Sequence, residues 1–153
     1  MHKRCGVAIS LLVFTAFVGE ASAAKPNPEA TAKLLEAATA GDEDGVLAAV
    51  AAGADANARD AEKNTPLILV APHSLFGKER KIVEALVKAK ADVNAVNKDG
   101  ETALMVASSA GREGIVRLLI QNEATVDAHD NDGWTALMYA ADGGDWSVAK
   151  ELI

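Results

Sequence analysis

Cysteine is all but absent from this chain. The single copy, Cys5, stands among the first few residues, so no disulfide can form within one chain and stability must come from packing alone. Aromatic residues are scarce too, 4% of the chain against an apolar share of 50%. Ala, Val and Leu must therefore fill the core, and small side chains do so only where helices lie close together in thin layers. Lys and Arg form no cluster after residue 24, and the net charge is −7. That balance excludes nucleic acid and an anionic membrane surface as expected partners, because each requires basic residues concentrated on one face. No phosphate loop, Gly-x-Ser-x-Gly elbow, dinucleotide fingerprint or His-Glu-x-x-His pattern occurs. His73 and His129 lack a His or Cys at ligand spacing. The stretches ending at Gly100 and Gly133 fail as calcium loops. With either glycine as sixth residue, Ala95 or Ala128 comes first and Val106 or Tyr139 twelfth, where oxygen ligands are required. Catalysis, a metal and a cofactor are accordingly not expected, and 153 residues suffice for one domain.

The N-terminus has a recognisable order. Basic residues, Lys3 and Arg4, precede an apolar stretch from Val7 to Val18, followed by the small-x-small triplet Ala21-Ser22-Ala23. This pattern predicts a secretory signal over residues 1–23, cleaved after Ala23. Glu20 interrupts the apolar stretch before the roughly 20 residues that a membrane span needs, so no stable membrane insertion is expected after cleavage. Loss of Lys3, Arg4 and Glu20 would take the net charge from −7 to −8 and leave no cysteine to mispair in an oxidising compartment. A periplasmic or secreted location follows as an expectation. Residues 24–28 contain Pro26 and Pro28 and read as an extended lead-in.

Self-comparison is more informative. Thr102-Ala103-Leu104-Met105-Val106-Ala107 returns 33 residues later as Thr135-Ala136-Leu137-Met138-Tyr139-Ala140, and Thr65-Pro66-Leu67 opens the same unit upstream. A second signature closes each unit: Gly53-Ala54-Asp55-Ala56-Asn57-Ala58, Lys90-Ala91-Asp92-Val93-Asn94-Ala95 and Glu123-Ala124-Thr125-Val126-Asp127-Ala128. This period, opened by Thr-Pro-Leu and closed by Gly-Ala-Asp-x-Asn-Ala, resembles the ankyrin repeat. The resemblance implies an all-α solenoid of stacked helix-turn-helix units joined by β-hairpin-like loops over residues 29–153. Its repeats span about 29–59, 60–96, 97–129 and 130–153, the last incomplete.

The residues account for the unit. Thr65, Thr102 and Thr135 suit helix N-caps, and Pro66 suits a first helical position. Gly41, Gly111 and Gly144 suit the turn that ends a first helix. Apolar residues at helical spacing then mark second helices, such as Ile82, Val83, Leu86 and Val87, or Ile115, Val116, Leu118 and Leu119. Helices this short hold only when each repeat covers the next. The surplus of the second repeat falls at residues 72–77, with Leu75 and Phe76 at the loop tip.

Three departures from the family pattern carry expectations. Ile68, Met105 and Met138 stand where the resemblance implies a histidine tying neighbouring turns, so apolar contact is expected to replace that network. Lys63 stands where Gly100 and Gly133 sit, at a site that strains any side chain if φ is positive. The sequence stops within the second helix of the fourth unit, as expected of a fragment or of an end that a partner covers. Val148, Leu152 and Ile153 are predicted to form an uncovered apolar edge.

The resemblance implies protein binding through hairpin tips and first helices. Carried over position by position, the contact residues are Glu62 and Asn64, Asp99 and Glu101, and Asp132 and Trp134, extended along the first helices by Ser109 and Asp142. The set is acidic with one large aromatic, a common interface anchor, and predicts a partner protein with a basic or mixed surface. The alternative function is a structural one, in which an accessory subunit or part of a longer array docks through its C-terminal edge.

Overall fold

The structure, a computed structural model, describes residues 25–74 and 77–153. The expected signal and the tip residues Leu75 and Phe76 lie outside the described residues. Helices follow in pairs: α1 (Pro28–Ala40) with α2 (Glu43–Ala51), α3 (Pro66–Val70) with α4 (Glu79–Lys88), α5 (Ala103–Ser109) with α6 (Glu113–Gln121), and α7 (Ala136–Asp142) with α8 (Trp146–Glu151). The lead-in ends at Asn27, whose side chain accepts from the amides of Glu29 and Ala30 at 3.1 and 3.3 Å, with Pro28 opening α1. The threonines cap as expected: the hydroxyls of Thr65, Thr102 and Thr135 accept from the amides of Ile68, Met105 and Met138 at 3.4, 3.3 and 3.4 Å. Such a cap is worth about 1 kcal/mol. Gly41, Gly111 and Gly144 end or follow first helices with φ of 68°, 67° and 70°.

First helices pack on first helices, α1 on α3, α3 on α5 and α5 on α7, while α2, α4, α6 and α8 form the second layer in the same order. Leu67 and Leu104 fill the first layer; Ile82, Val83, Leu86, Ile115, Val116 and Leu119 fill the second. Ala38, Ala71, Ala107 and Ala140 are wholly buried, the small side chains that allow layers to close up without large aromatics. The connecting loops pair at isolated antiparallel bridges, Val96 with Thr102 and His129 with Thr135.

Ile68 and Met105 are buried, as apolar contact in place of the histidines requires, whereas Met138 is 51% exposed. Polar ties between repeats also exist, carried by asparagines of the closing signature. The Asn57 side chain donates to the Lys90 carbonyl and accepts from the Asp92 amide, both at 2.7 Å. Asn94 repeats this one unit on, to the Glu123 carbonyl at 3.2 Å and the Thr125 amide at 2.7 Å. An amide can do this because it carries a donor and an acceptor on one planar group. Met105 is buried as expected, but its sulfur also accepts from the Thr102 amide at 3.5 Å.

Lys63 does adopt positive φ, 62°, and so do Lys90 at 68° and Glu123 at 66°, which stand where the first unit has Gly53. The C-terminal edge needs correction. Val148 and Leu152 are buried against α6 and α7, at 0% and 9% exposure, because they lie on the inward side of α8. On this last unit Leu137, Met138, Trp146 and Ile153 are among the large apolar residues that remain exposed.

Candidate protein-binding surface

Each hairpin is held by one side chain, and these recur in phase as Asp60, Asn97 and Asp130. Asp60 Oδ1 accepts from the amides of Glu62 and Asn64 at 2.9 and 2.8 Å. Asn97 Oδ1 accepts from Asp99 and Glu101 at 3.0 and 2.9 Å, and Asp130 Oδ1 from Asp132 and Trp134 at 2.9 and 2.8 Å. The amides so fixed belong to the six residues expected at the hairpin tips, which makes the turn residues their positioning groups. Beside His129 in an exposed turn, Asp130 reads in the sequence as a solvated residue. Asp130 is instead only 6% exposed, and the His129 ring meets the Asp130 backbone carbonyl, not its carboxylate, at 3.1 Å.

Neighbouring hairpins are joined edge to edge. The Lys98 amide donates to the Glu62 carbonyl and the Asn131 amide to the Asp99 carbonyl, each at 3.0 Å. Glu62, Asp99 and Asp132 therefore succeed one another along the tips, all exposed. Asn64, Glu101 and Trp134 form the row beneath. In that row Asn97 Nδ2 donates to Asn64 Oδ1 at 3.2 Å and to Glu101 Oε2 at 2.9 Å. Asn64 and Glu101 are thus half-buried members of a ladder as well as candidate contacts. Ser109 and Asp142 are exposed at the last residues of α5 and α7, about 10 Å from the hairpin ends of those helices at 1.5 Å per residue.

Tyr139 of α7 closes the ladder, and nothing in the sequence reading singled it out. Its hydroxyl donates to Asp130 Oδ2 at 2.6 Å and reaches Glu101 Oε1 at 3.4 Å. Its ring lies against Trp134 with centroids 5.3 Å apart and planes tilted by 49°. The available signal was positional: Tyr139 is the chain's only tyrosine, in the slot held by Val106 one unit earlier. Its hydroxyl, with the amides of Trp134 and Asp132, holds the Asp130 carboxyl below the usual carboxylate range. The same bond, with burial and the charge of Glu101, pushes the Tyr139 hydroxyl above the usual tyrosine range.

Acidic groups outnumber the exposed Lys63 and Lys98 on this surface. Lys98 pairs with Glu62 at 3.2 Å, whereas Asp99, Glu101, Asp130 and Asp132 have no basic partner among the described residues. Trp134 stays 38% exposed beside them. Carboxylates without basic partners near a part-exposed indole are suited to a basic polypeptide surface.

The comparisons agree with this architecture. "Protein lin-12" of Caenorhabditis elegans is 42% identical to this chain over 60 residues, which is 39% of this chain. The chain spans about 4% of that relative's length. A family model described as ankyrin repeats in three copies matches residues 73–153, more than half of the chain. With four helix pairs among the described residues stacked in two layers and hairpins joined edge to edge, the chain belongs to the ankyrin-repeat family, whose units mediate protein–protein interaction.

Proposed function

We propose that this chain is an interaction module of the periplasm or extracellular space, a binder and not a catalyst, which holds a partner protein on its hairpin tips and first helices. The observation that carries the reading is Trp134, half-exposed and braced on Tyr139 next to carboxylates with no basic partner among the described residues. Export is supported by the basic, apolar and small-residue order of residues 1–23. Among the described residues no helix is long and apolar enough to cross a membrane. The test combines Trp134→Leu, Glu101→Gln and Asp132→Asn in one variant. Partner capture from a secreted extract should be lost while the circular dichroism spectrum is kept; undiminished capture would sink the surface. N-terminal sequencing of the exported protein should begin at Ala24.

A second reading, docking through the far face of the fourth unit, also has an observation in its favour. Leu67 and Ile68, then Leu104 and Met105, are buried under the following unit, while the matching Leu137 and Met138 are 39% and 51% exposed. An apolar helix face of a partner would cover them as each unit covers the one before it. Leu137→Gln with Met138→Gln should weaken any association through that face and leave capture by the hairpins unaltered.

A further inference from the structure

The interaction surface can be read one level further, on the assumption that the hairpin face is the binding face. The Tyr139 ring lies tilted against the Trp134 indole, with centroids 5.3 Å apart, and its own hydroxyl is committed to Asp130 and Glu101. The ring pair is therefore fixed before any partner arrives, and what remains free is the exposed part of the indole. Aromatic faces attract cations through the negative charge of their π systems. Glu101 on one hairpin and Asp132 on the next lack basic partners among the described residues, so a cation there meets uncompensated charge.

We propose that the exposed part of the Trp134 indole seats an arginine side chain of a partner polypeptide, with Glu101 and Asp132 pairing its guanidinium. Arginine fits better than lysine for two reasons. A guanidinium is planar and stacks on an indole, and it presents paired N–H donors that match a carboxylate edge. An ammonium is a compact, strongly hydrated point charge that gains less from a flat ring. A second copy of this chain is a poor occupant, since two chains of net charge −7 repel.

The test uses two blocked six-residue peptides, one alternating glycine with arginine and one alternating glycine with lysine. Trp146 is 85% exposed, so Trp146→Phe leaves Trp134 as the single indole without disturbing the core. Its indole N–H resonance is followed by NMR during titration, and the affinities of every variant, including those that lack Trp134, are read by isothermal titration calorimetry. The arginine peptide should shift that resonance saturably and bind about two- to fivefold more tightly than the lysine peptide, as expected of an exposed cation–π contact. Trp134→Leu should reduce arginine affinity to the lysine level, and Glu101→Gln with Asp132→Asn should weaken both peptides. Equal affinities, an arginine preference that survives Trp134→Leu, or no binding of either peptide overturns the proposal. If the peptides bind equally while the triple variant still loses its partner, the arginine assignment alone falls. If the triple variant keeps its partner, the surface falls with it.

Discussion

Gly100 and Gly133 occupy the same turn position in successive hairpins, with φ of 82° and 84°. An alanine at either carries the same backbone strain, about 1–2 kcal/mol for a left-handed L residue, offset by about 0.4–1 kcal/mol from the stiffer unfolded chain. Their surroundings differ. A Cβ at Gly133 meets nothing within 4 Å, whereas one at Gly100 comes within 2.7 Å of Asn131 Oδ1 and 2.9 Å of the Asn131 backbone nitrogen. That nitrogen donates to the Asp99 carbonyl at 3.0 Å, and Asn131 Nδ2 donates to the Lys98 carbonyl at 2.9 Å. Backbone cannot swing aside as a long side chain can, so the Gly100→Ala methyl must push two inter-hairpin hydrogen bonds apart. At about 0.5–1.5 kcal/mol each, the added cost is about 1–3 kcal/mol. Gly133→Ala should therefore destabilise by about 1 kcal/mol and Gly100→Ala by about 2–4 kcal/mol. Urea denaturation followed by circular dichroism at 222 nm reads both. Equal losses would refute the close approach of the second and third hairpin junctions described above.

Replacing Lys63, Lys90 or Glu123 by Gly should stabilise by about 0.5–1 kcal/mol each, because glycine removes left-handed strain that exceeds its unfolded-state entropy cost; a thermal melt that does not rise contradicts those φ values. Asn94→Asp keeps an acceptor for the Thr125 amide but sets a carboxylate against the Glu123 carbonyl, so about 1–2 kcal/mol should be lost in denaturant titrations. The Asp130 carboxyl is depressed chiefly by the Tyr139 hydroxyl. Its stabilising effect is thus full above the ordinary carboxyl range near pH 4 and lost as pH falls through its lowered value. Tyr139→Phe should be less stable than the parent at pH 7, and the gap should close toward pH 2; a gap that is constant with pH argues against this bond. The raised Tyr139 hydroxyl predicts that the 295 nm absorbance of the folded protein shows no phenolate where free tyrosine ionises, near pH 10.

The fold was legible because its signals are local. A threonine cap, an apolar helical spacing and a glycine turn act within a few residues, and repetition at intervals of 37 and 33 residues makes each instance support the others. The same locality placed the hairpin-tip residues: once the period is known, Glu62, Asp99 and Asp132 must fall in one row. Even the strain at Lys63 could be anticipated, since its counterparts in the repeat are glycines.

Other features depend on contacts between units, which no single unit displays. Asn57 and Asn94 look like loop residues in sequence, yet each bridges two backbone groups of the next unit, 29 to 35 positions away. Asp130 reads as a solvated turn residue until Tyr139 is seen to cover it. The rotation of α8 decides that Val148 and Leu152 turn inward while Trp146 and Ile153 face solvent. Sequence by itself determined the repeat, its caps and its acidic tips, because those follow from propensities and spacing along the chain. Only the tertiary structure decided which polar groups stitch neighbouring units and how Trp134 is braced, because hydrogen bonds and ring contacts depend on where separate helices come to lie against one another.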